Sequence, residues 1–342
     1  MDWFERLTGF SETTYSETKA CLSVTDGRLR CPGGREFCVG SFAMPSLSEV
    51  RSDVAALPAA RGGIRVSLLE GDVRRMHQTP DFAGALFQVA SQFNMLEMTG
   101  PGITPEAGVG LYERDPTQGP ACAIAAGAAT IFRNYFVPMP GGSGQTESRQ
   151  LNGLADLGAA LADDLHVSLD ALWHMRNGYA LCTPSGLAQI DQHLGSLDAE
   201  AADALRGRLR IGVHRDVEVT DSPSWPGQRV SQAFCSALPV AYSELSADRW
   251  ANFARLVLEA SYEATLLVAA LAARKGGSNM VLLTQLGGGA FGNDSDWIMA
   301  AMERALQVVE AYGCDLDVRL VTYSGASPAL RRIAAGSWRR GA

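Results

Sequence analysis

The sequence has no excess of positive charge. Its 29 Lys and Arg residues are outnumbered by 37 Asp and Glu residues, which gives a formal net charge of -8. A chain with this charge has no basic field to hold a nucleic-acid backbone or an anionic membrane surface. We therefore expect a small molecule or a protein as the partner, and neither nucleic acid nor membrane.

Long apolar runs and a secretory leader are also missing. The apolar stretches, such as residues 266–273, fall well short of the roughly 18 residues that a membrane span requires. The first residues place an acid beside a base and contain no apolar core, unlike a secretory signal. These features predict a soluble, cytoplasmic protein.

The cysteines and histidines show no metal-binding spacing. Seven cysteines are scattered without a C-x-x-C pair, and the five histidines form no H-E-x-x-H motif. Scattered thiols of odd number are typical of free cysteines in a reducing compartment. Zinc sites instead have closely spaced ligands. We expect no metal and no cofactor.

Strand patterns alternate with helical patterns along most of the chain. Short apolar strands are predicted at 64–69, 85–90, 208–220, 230–240, 280–286 and 316–323, and helices at 120–136, 248–275 and 295–312. Such alternation indicates an α/β protein in which helices cover both faces of a sheet. Residues 1–35 are predicted to be an N-terminal appendage to one domain over 36–342, with a mainly helical insertion at about 140–207.

The clearest local motif is a glycine-rich loop between the strand at 280–286 and the helix at 295–312. It has the sequence Leu-Gly-Gly-Gly-Ala-Phe-Gly-Asn over 286–293. Main-chain N–H groups in such a loop can surround a phosphate at a helix N-terminus. The loop has neither the Lys-Ser/Thr ending of a P-loop nor G-x-G-x-x-G spacing, so alone it does not name the ligand. The alternative is an ordinary strand-to-helix turn.

Acidic residues at three places are candidates for chemistry. Asp72 ends a strand, where it could accept from an exocyclic amine or cap a helix. Period-two alternation over 208–220 would put Asp216 and Glu218 on one face with His214, either as acid–base groups or as a solvated edge. Asp115 precedes the helix predicted from Pro120, which it could cap instead.

The order of these motifs resembles that of macrodomains, which bind ADP-ribose. Gly-Asp-Val at 71–73, a strand followed by Asn94, and the late glycine-rich loop occur in the same sequence. The resemblance covers roughly residues 60–136 and 208–325. It implies a three-layer α/β/α macrodomain-like sandwich with a mixed central sheet and an inserted helical segment.

The resemblance also implies roles for individual residues. Asp72, with Val73 beside it, would hold the adenine amino group, and Asn94 would contact the distal ribose. The glycine-rich loop would clamp the diphosphate, with its phenylalanine beside the distal ribose. The implied loop residues are Gly287, Gly288, Gly289, Ala290, Phe291, Gly292 and Asn293. The sequence differs from the family's pattern in lacking the Asn-Ala-Ala-Asn strand ending and a Gly-Gly-Gly first loop.

Two further phrases, at 115–121 and 235–242, are similar to a branch of bacterial effector macrodomains that remove ADP-ribose from arginine of ubiquitin. This resemblance implies an ADP-ribosyl hydrolase acting on a modified protein side chain, with arginine and ubiquitin as the finer expectation. Because ribosyl transfer needs an acid or base near the anomeric carbon, the predicted catalytic residues are Asp216, Glu218 and Asp115. The alternatives are a reader module that binds ADP-ribose without cleavage, and a scaffold that presents residues 145–207 to a partner.

Overall fold

A seven-stranded mixed sheet forms the centre of the protein. The computed structural model describes residues 1–58, 62–222 and 226–341. Its strands are β1 (Ser23–Thr25), β2 (Arg28–Arg30), β3 (Glu36–Cys38), β4 (Ser41–Ala43), β5 (Ile64–Glu70), β6 (Leu86–Ala90), β7 (Pro138–Met139), β8 (Gly142–Ser143), β9 (Trp173–Arg176), β10 (Tyr179–Cys182), β11 (Gly212–Glu218), β12 (Arg229–Cys235), β13 (Met280–Leu283) and β14 (Leu316–Thr322). The order across the central sheet is β4-β11-β12-β6-β13-β14-β5. The strands from β12 to β5 are parallel, and β11 and β4 are antiparallel additions.

Helices cover both faces of this sheet. They are α1 (Trp3–Thr8), α2 (Tyr15–Ala20), α3 (Leu47–Ala55), α4 (Val73–Gln78), α5 (Gln118–Ala125), α6 (Gly127–Ile131), α7 (Ala155–Leu165), α8 (Leu169–Leu172), α9 (Pro184–Ser196), α10 (Ala199–Arg208), α11 (Ala251–Arg274), α12 (Ser295–Ala311) and α13 (Pro328–Ala334). Neighbouring side chains of β6 serve opposite faces: Leu86 belongs to the core with α3, α11 and α12, and Phe87 to the core with α4 and α5. The predicted three-layer α/β/α arrangement with a mixed sheet is confirmed.

The long helix α11 is the centre of the larger core. The stretch Ala247–Arg274 is long and apolar enough to cross a membrane by length and composition, but 83% of its most apolar window is buried inside the fold. Helices α3 and α12 pack against it, and strands β13 and β14 contact it from the sheet. The apolar composition of this helix is therefore accounted for by packing.

The helix predicted over 120–136 is interrupted. It forms α5 and α6, which are separated at Ala126 (φ -115°, ψ 55°), and then a wide π-type turn, Phe132–Phe136. The N–H of Gly127, just past the break, donates to Thr220 Oγ1 at 2.8 Å. The sequence could not show this break, because the partner that replaces the helical hydrogen bond lies far away in the chain.

The N-terminal segment predicted as an appendage is packed against the rest of the fold. Trp3 Nε1 donates to Val109 O at 3.1 Å, and the Glu12 carboxylate accepts from the Tyr135 hydroxyl at 2.6 Å. The small sheet β1-β2-β3 continues through residue 38, so the predicted boundary at residue 35 falls between two paired strands. These contacts fix the start of the chain beside the loop that precedes α5.

The inserted segment contains a β-hairpin as well as helices. Helices α7 to α10 fit the helical prediction, but β9 and β10 pair across a two-residue Asn177-Gly178 turn. Asn-Gly flanked by alternating hydrophobic residues is the strongest short-range signal for a β-hairpin. The prediction of a mainly helical insertion did not include this hairpin. The tip of this hairpin docks on the segment after β6, where Phe93 N–H donates to Gly178 O at 3.0 Å. The insertion thereby reaches the carboxyl end of the sheet.

Candidate active site

A cleft opens at the carboxyl ends of three neighbouring parallel strands. It is lined by Ala90 at the end of β6, Ala237 after β12, and Thr284 after β13. Helix α5 leaves β6 on one side of the sheet and α12 follows β13 on the other. In open α/β sheets, ligands bind outside the carboxyl ends of the strands, at the point where the connections diverge. The glycine-rich loop borders this cleft.

The glycine-rich loop between β13 and α12 is closed by its own hydrogen bonds. Asn293 N–H donates to Gly287 O at 2.9 Å, and Gly288 N–H donates to Gln285 O at 3.1 Å. The Asn293 side chain ties the loop to the segment after β12 by donating to Leu238 O at 2.8 Å. The loop backbone is therefore preorganised.

Four residues of this loop line the cleft and have backbone N–H groups without a protein acceptor among the described residues. Among the described residues, no protein acceptor receives the backbone N–H of Gly287, Gly289, Ala290 or Phe291, and all four residues line the cleft. The N–H groups of Gly288, Gly292 and Asn293 are engaged within the loop, and these residues are outside the lining. Convergent free backbone N–H groups form an anion-binding concavity. The structure thus brings together the part of the predicted loop that could hold a phosphate.

The opposite wall is the start of α5, which is pinned to β6. The Gln118 side chain accepts from Ala90 N–H at 2.8 Å and donates to Gln88 O at 2.8 Å, in the manner of an extra strand. The next residue, Gly119, packs so closely that a Cβ there would collide with the carbonyl oxygen of Ala90. This contact places the first turn of α5 against the strand end.

Two carboxylates line the cleft. Asp115 lies just before α5 and accepts from Thr117 N–H at 2.9 Å. Glu97 is 1% exposed and lies 3.5 Å from the Arg133 guanidinium. Burial raises the pKa of Glu97 to about 7, and Arg133 opposes that shift. No Lys, Arg or His belongs to the described lining, so the cleft wall carries acidic groups without basic ones.

An aromatic wall, formed by Tyr179, Tyr242 and Phe291, closes one end of the cleft. The Tyr179 ring centroid lies 5.2 Å from that of Tyr242 and 5.3 Å from that of Phe291. Tyr179 comes from the inserted hairpin and is fixed by its hydroxyl, which donates to Met98 O at 2.9 Å. Burial raises the pKa of Tyr179, which keeps this hydroxyl neutral. The predicted contact residue Phe291 is therefore part of a larger aromatic surface.

Asp72 and Val73 lie at the same sheet edge but outside the cleft lining. Asp72 follows β5 and caps α4, accepting from Arg74 N–H at 2.8 Å. The capping alternative is thus present in the structure, with Arg75 4.0 Å from the other carboxylate oxygen and 41% of the Asp72 side chain exposed. Val73 is buried in the first turn of α4. Their role in holding adenine stays a prediction.

Asn94 is buried away from the cleft surface. Its Nδ2 donates to Gln150 at 2.8 Å, and its Oδ1 accepts from Leu96 N–H at 3.2 Å. The residues that line the cleft directly after β6 are instead Ser91 and Gln92. The predicted contact between Asn94 and a ribose stays untested, and the structure places two other polar side chains nearer to that position.

The predicted alignment of acids on strand β11 is wrong. A β-bulge between His214 and Val217 inserts one extra residue, so that His214 opposes Gln232 while Glu218 opposes Arg229 on the other face. Asp216 lies in the bulge at φ 55° and is exposed.

Neither acid of this strand lines the cleft. Glu218 is 4% exposed and accepts from Cys38 N–H at 2.8 Å. Asp216 is exposed at the bulge and makes no contact with the cleft residues. Of the three predicted catalytic acids, Asp115 alone belongs to the described cleft lining.

Glu97 and Tyr179 had no place in the sequence prediction, and Tyr242 entered it only as the last residue of the phrase at 235–242. Glu97 stands among apolar residues in Met95-Leu96-Glu97-Met98, a pattern that is typical of a buried carboxylate. Tyr179 follows the Asn-Gly turn, so recognising the hairpin would have drawn attention to it. Nothing local distinguishes Tyr242, because its position depends on the packing of three distant segments.

Comparison with solved structures finds similarity to poly(ADP-ribose) glycohydrolases. The enzyme from Thermomonospora curvata superposes with a TM-score of 0.45 and 15% identity, covering 95% of this chain and 97% of that chain. The Deinococcus radiodurans enzyme in complex with ADP-ribose gives a TM-score of 0.44 and 13% identity, covering 87% and 94%. Its apo form gives a TM-score of 0.42 and 13% identity, covering 90% and 98%.

No family model matches the chain, and no curated protein matches it. Likeness at these TM-scores and identities assigns no activity to this protein. The function has to follow from the residues of the cleft.

Proposed function

We propose that this protein hydrolyses an ADP-ribosyl bond on a modified protein side chain. The observation that carries the proposal is a group of four residues in the β13–α12 loop with unpaired backbone N–H groups, which line the same cleft as Asp115 and Glu97. The N–H groups suit a diphosphate, and the carboxylates suit the reacting ribose beside it. A diphosphate next to a ribosyl carbon is the arrangement within ADP-ribose.

The sheet edge supports a ligand of this length. Strands β5 and β6 are separated by β14 and β13 in the sheet. At ~4.8 Å per strand, Asp72 after β5 lies about 14 Å across the sheet from the end of β6. An elongated ligand can therefore place adenine near Asp72, its diphosphate at the glycine-rich loop after β13, and its distal ribose in the cleft.

An exposed tyrosine lies along this path. Tyr323 follows β14, between Asp72 and the glycine-rich loop, and is 83% exposed. An exposed aromatic ring at a ligand-binding edge is a stacking surface for a nucleobase, since every base has a π-face. We assign Tyr323 to the adenine end of the site.

Asp115 is the predicted catalytic acid on which the proposal rests. Hydrolysis of a ribosyl bond passes through an oxocarbenium-like state, in which positive charge develops on the ribose. A carboxylate at the cleft stabilises that charge. Asp216 and Glu218 lie outside the lining, so the proposal does not require them.

The cleft favours a cationic side chain as the group that is released. Asp115 and an aromatic wall line it, and no basic residue belongs to the described lining. Such surroundings attract a guanidinium by ion pairing with Asp115 and by cation–π contact. We therefore propose ADP-ribosylated arginine as the substrate linkage, with ubiquitin as the candidate carrier protein.

The test incubates the protein with carrier proteins that are ADP-ribosylated on arginine, aspartate or serine, with ubiquitin ADP-ribosylated on arginine, and with poly(ADP-ribose). The released product is measured by chromatography. We expect release of ADP-ribose from the arginine linkage, and a loss of roughly 100-fold or more with Asp115→Asn. Absence of release from every substrate would show the hydrolase proposal to be wrong. Tight ADP-ribose binding in the same samples would then favour the reader module.

A further inference from the structure

We propose that Glu97 accepts the proton of the attacking water in this hydrolysis. The inference rests on the proposed function and deepens it by assigning the base. Glu97 touches the cleft directly, as does Asp115. In this proposal Glu97 accepts the proton of the water, and Asp115 stabilises the positive charge that develops on the ribose.

The segment that carries Glu97 is held rigidly against the strand end. The chain folds back after β6, where Gln92 N–H donates to Leu96 O at 3.0 Å and Met98 N–H donates to the Gln92 side chain at 2.7 Å. The Glu97 side chain then passes beside Gly119, where a Cβ would lie 3.1 Å from Glu97 Cγ. The methylene chain of Glu97 is thus held against the first turn of α5, and its carboxylate is directed at Arg133, 3.5 Å away.

Both oxygens of this carboxylate lack hydrogen bonds. Within the described parts of the chain, neither Glu97 Oε1 nor Oε2 accepts a hydrogen bond, although the side chain is 1% exposed. Most buried polar side-chain atoms in proteins have at least one hydrogen-bond partner, because leaving one without costs free energy. The carboxylate is enclosed beside the cleft with Arg133 at 3.5 Å, and its remaining acceptor positions are ones that a water entering from the cleft would use.

Arg133 is held in place without Glu97. It is fully buried, donates to Met95 O at 3.0 Å and to Thr130 Oγ1 at 3.2 Å, and lies over the Phe234 ring at 3.7 Å from the centroid. These contacts position the guanidinium independently of its 3.5 Å ion pair with Glu97. The ion pair therefore orients the Glu97 carboxylate. Arg133 keeps its other contacts when Glu97 is replaced by the neutral glutamine.

The chemistry of an arginine linkage calls for a base. The modified guanidinium already carries a positive charge, so it leaves as neutral guanidine without needing a proton from the protein. The water oxygen forms a bond to the anomeric carbon, the carbon–nitrogen bond breaks, and its electron pair stays on the guanidine nitrogen. The proton released by the water passes to the Glu97 carboxylate and from there to solvent or to the departing guanidine.

The surroundings of Glu97 set the pH range in which it can act. Arg133 faces it from the turn after α6, Tyr112 and Cys122 from the loop before α5 and from α5, and Asp115 shares its cleft. Burial has the largest effect and raises the pKa of Glu97 to about 7, while Arg133 lowers it. A base must be ionised, so activity is present above this pKa and is lost as the pH falls through it.

The experiment measures single-turnover hydrolysis of an arginine-linked ADP-ribosyl protein across the neutral pH range, for the wild type, Glu97→Gln and Glu97→Asp. The wild-type rate should rise with pH and level off above about 7. We expect Glu97→Gln to lose roughly 10²–10⁴-fold in rate, to lose the pH inflection, and to keep ADP-ribose affinity. Glu97→Asp, which retains a carboxylate, should keep the inflection at a reduced rate.

The outcomes separate this role from the proposed function. An active wild type with an equally active, folded Glu97→Gln variant overturns the role of Glu97 and leaves the hydrolase proposal intact. A wild type that hydrolyses no linkage overturns both. If thermal denaturation shows that Glu97→Gln does not fold, the pH profiles of the wild type and of Glu97→Asp test the role instead. A hydrolysis rate that does not change with pH through neutrality overturns the role of Glu97.

Discussion

Replacing Gly287 by alanine tests the diphosphate site most selectively. Gly287 adopts φ 74°, in the left-handed region that residues with a Cβ avoid. A Cβ at this position would also overlap the Cβ of Ala237 and lie 2.8 Å from Asn293 Nδ2. The substitution therefore strains the loop at its first cleft-facing N–H and disturbs the side chain that anchors its far end.

The left-handed backbone conformation alone sets the expected magnitude. A left-handed conformation costs a residue with a Cβ roughly 1–2 kcal/mol. If the loop relieves this strain by rotating its N–H groups away from the cleft, the free energy of ADP-ribose binding falls by the same amount. Because about 1.4 kcal/mol corresponds to a tenfold change in affinity, ADP-ribose affinity should fall about 5- to 30-fold. Isothermal titration calorimetry with ADP-ribose measures this change, and thermal denaturation reports how much strain remains in the fold.

Gly289→Ala is the matched control. Gly289 belongs to the same loop and lines the same cleft, but its φ is not left-handed, and a Cβ there meets nothing within 4 Å. Its backbone N–H is retained in alanine, so affinity should change little. Equal losses for both variants, or full affinity in Gly287→Ala, would refute the reasoning that loop geometry presents these N–H groups.

Three further predictions concern the rest of the molecule. Tyr323→Ala should weaken ADP-ribose binding by about 1–3 kcal/mol in calorimetry while sparing the binding of ribose 5-phosphate, and an unchanged affinity would contradict the stacking role. Asp216→Asn should leave the hydrolysis rate unchanged, because Asp216 lies in an exposed bulge outside the cleft. A large loss of rate would show that Asp216 takes part in catalysis. Glu263→Gln should lower the free energy of unfolding, measured in urea, by about 3 kcal/mol, because this buried carboxylate accepts from the guanidinium groups of Arg51 in α3 and Arg304 in α12. Glu310→Gln, which breaks an exposed ion pair with Arg339, should lower it by under about 1 kcal/mol.

The sheet could be predicted from the sequence because its parallel strands are buried on both faces. Short apolar runs such as those at β6 and β13 have few structural interpretations when helical patterns separate them. The glycine-rich loop was equally predictable, since its position between strand and helix is a local property. The parts of the fold that follow from local composition were therefore accessible.

The errors have long-range causes. The bulge at Asp216 depends on how β11 pairs with β12, and one extra residue there moves Glu218 to the opposite face of the sheet. Glu97 becomes a cleft residue only because the chain folds back after β6 and α5 packs against that turn. Neither event leaves a periodic signal in the sequence, so Asp216 and Glu218 were predicted to share one face of β11 and Glu97 was not predicted.

The most direct test of the central claim is a crystal structure of the protein with ADP-ribose. The account predicts that the diphosphate oxygens accept from the N–H groups of Gly287, Gly289, Ala290 and Phe291. It also predicts that the anomeric carbon of the distal ribose lies beside Asp115 and Glu97. A nucleotide bound elsewhere on the molecule, with this loop making no phosphate contact, would contradict the account.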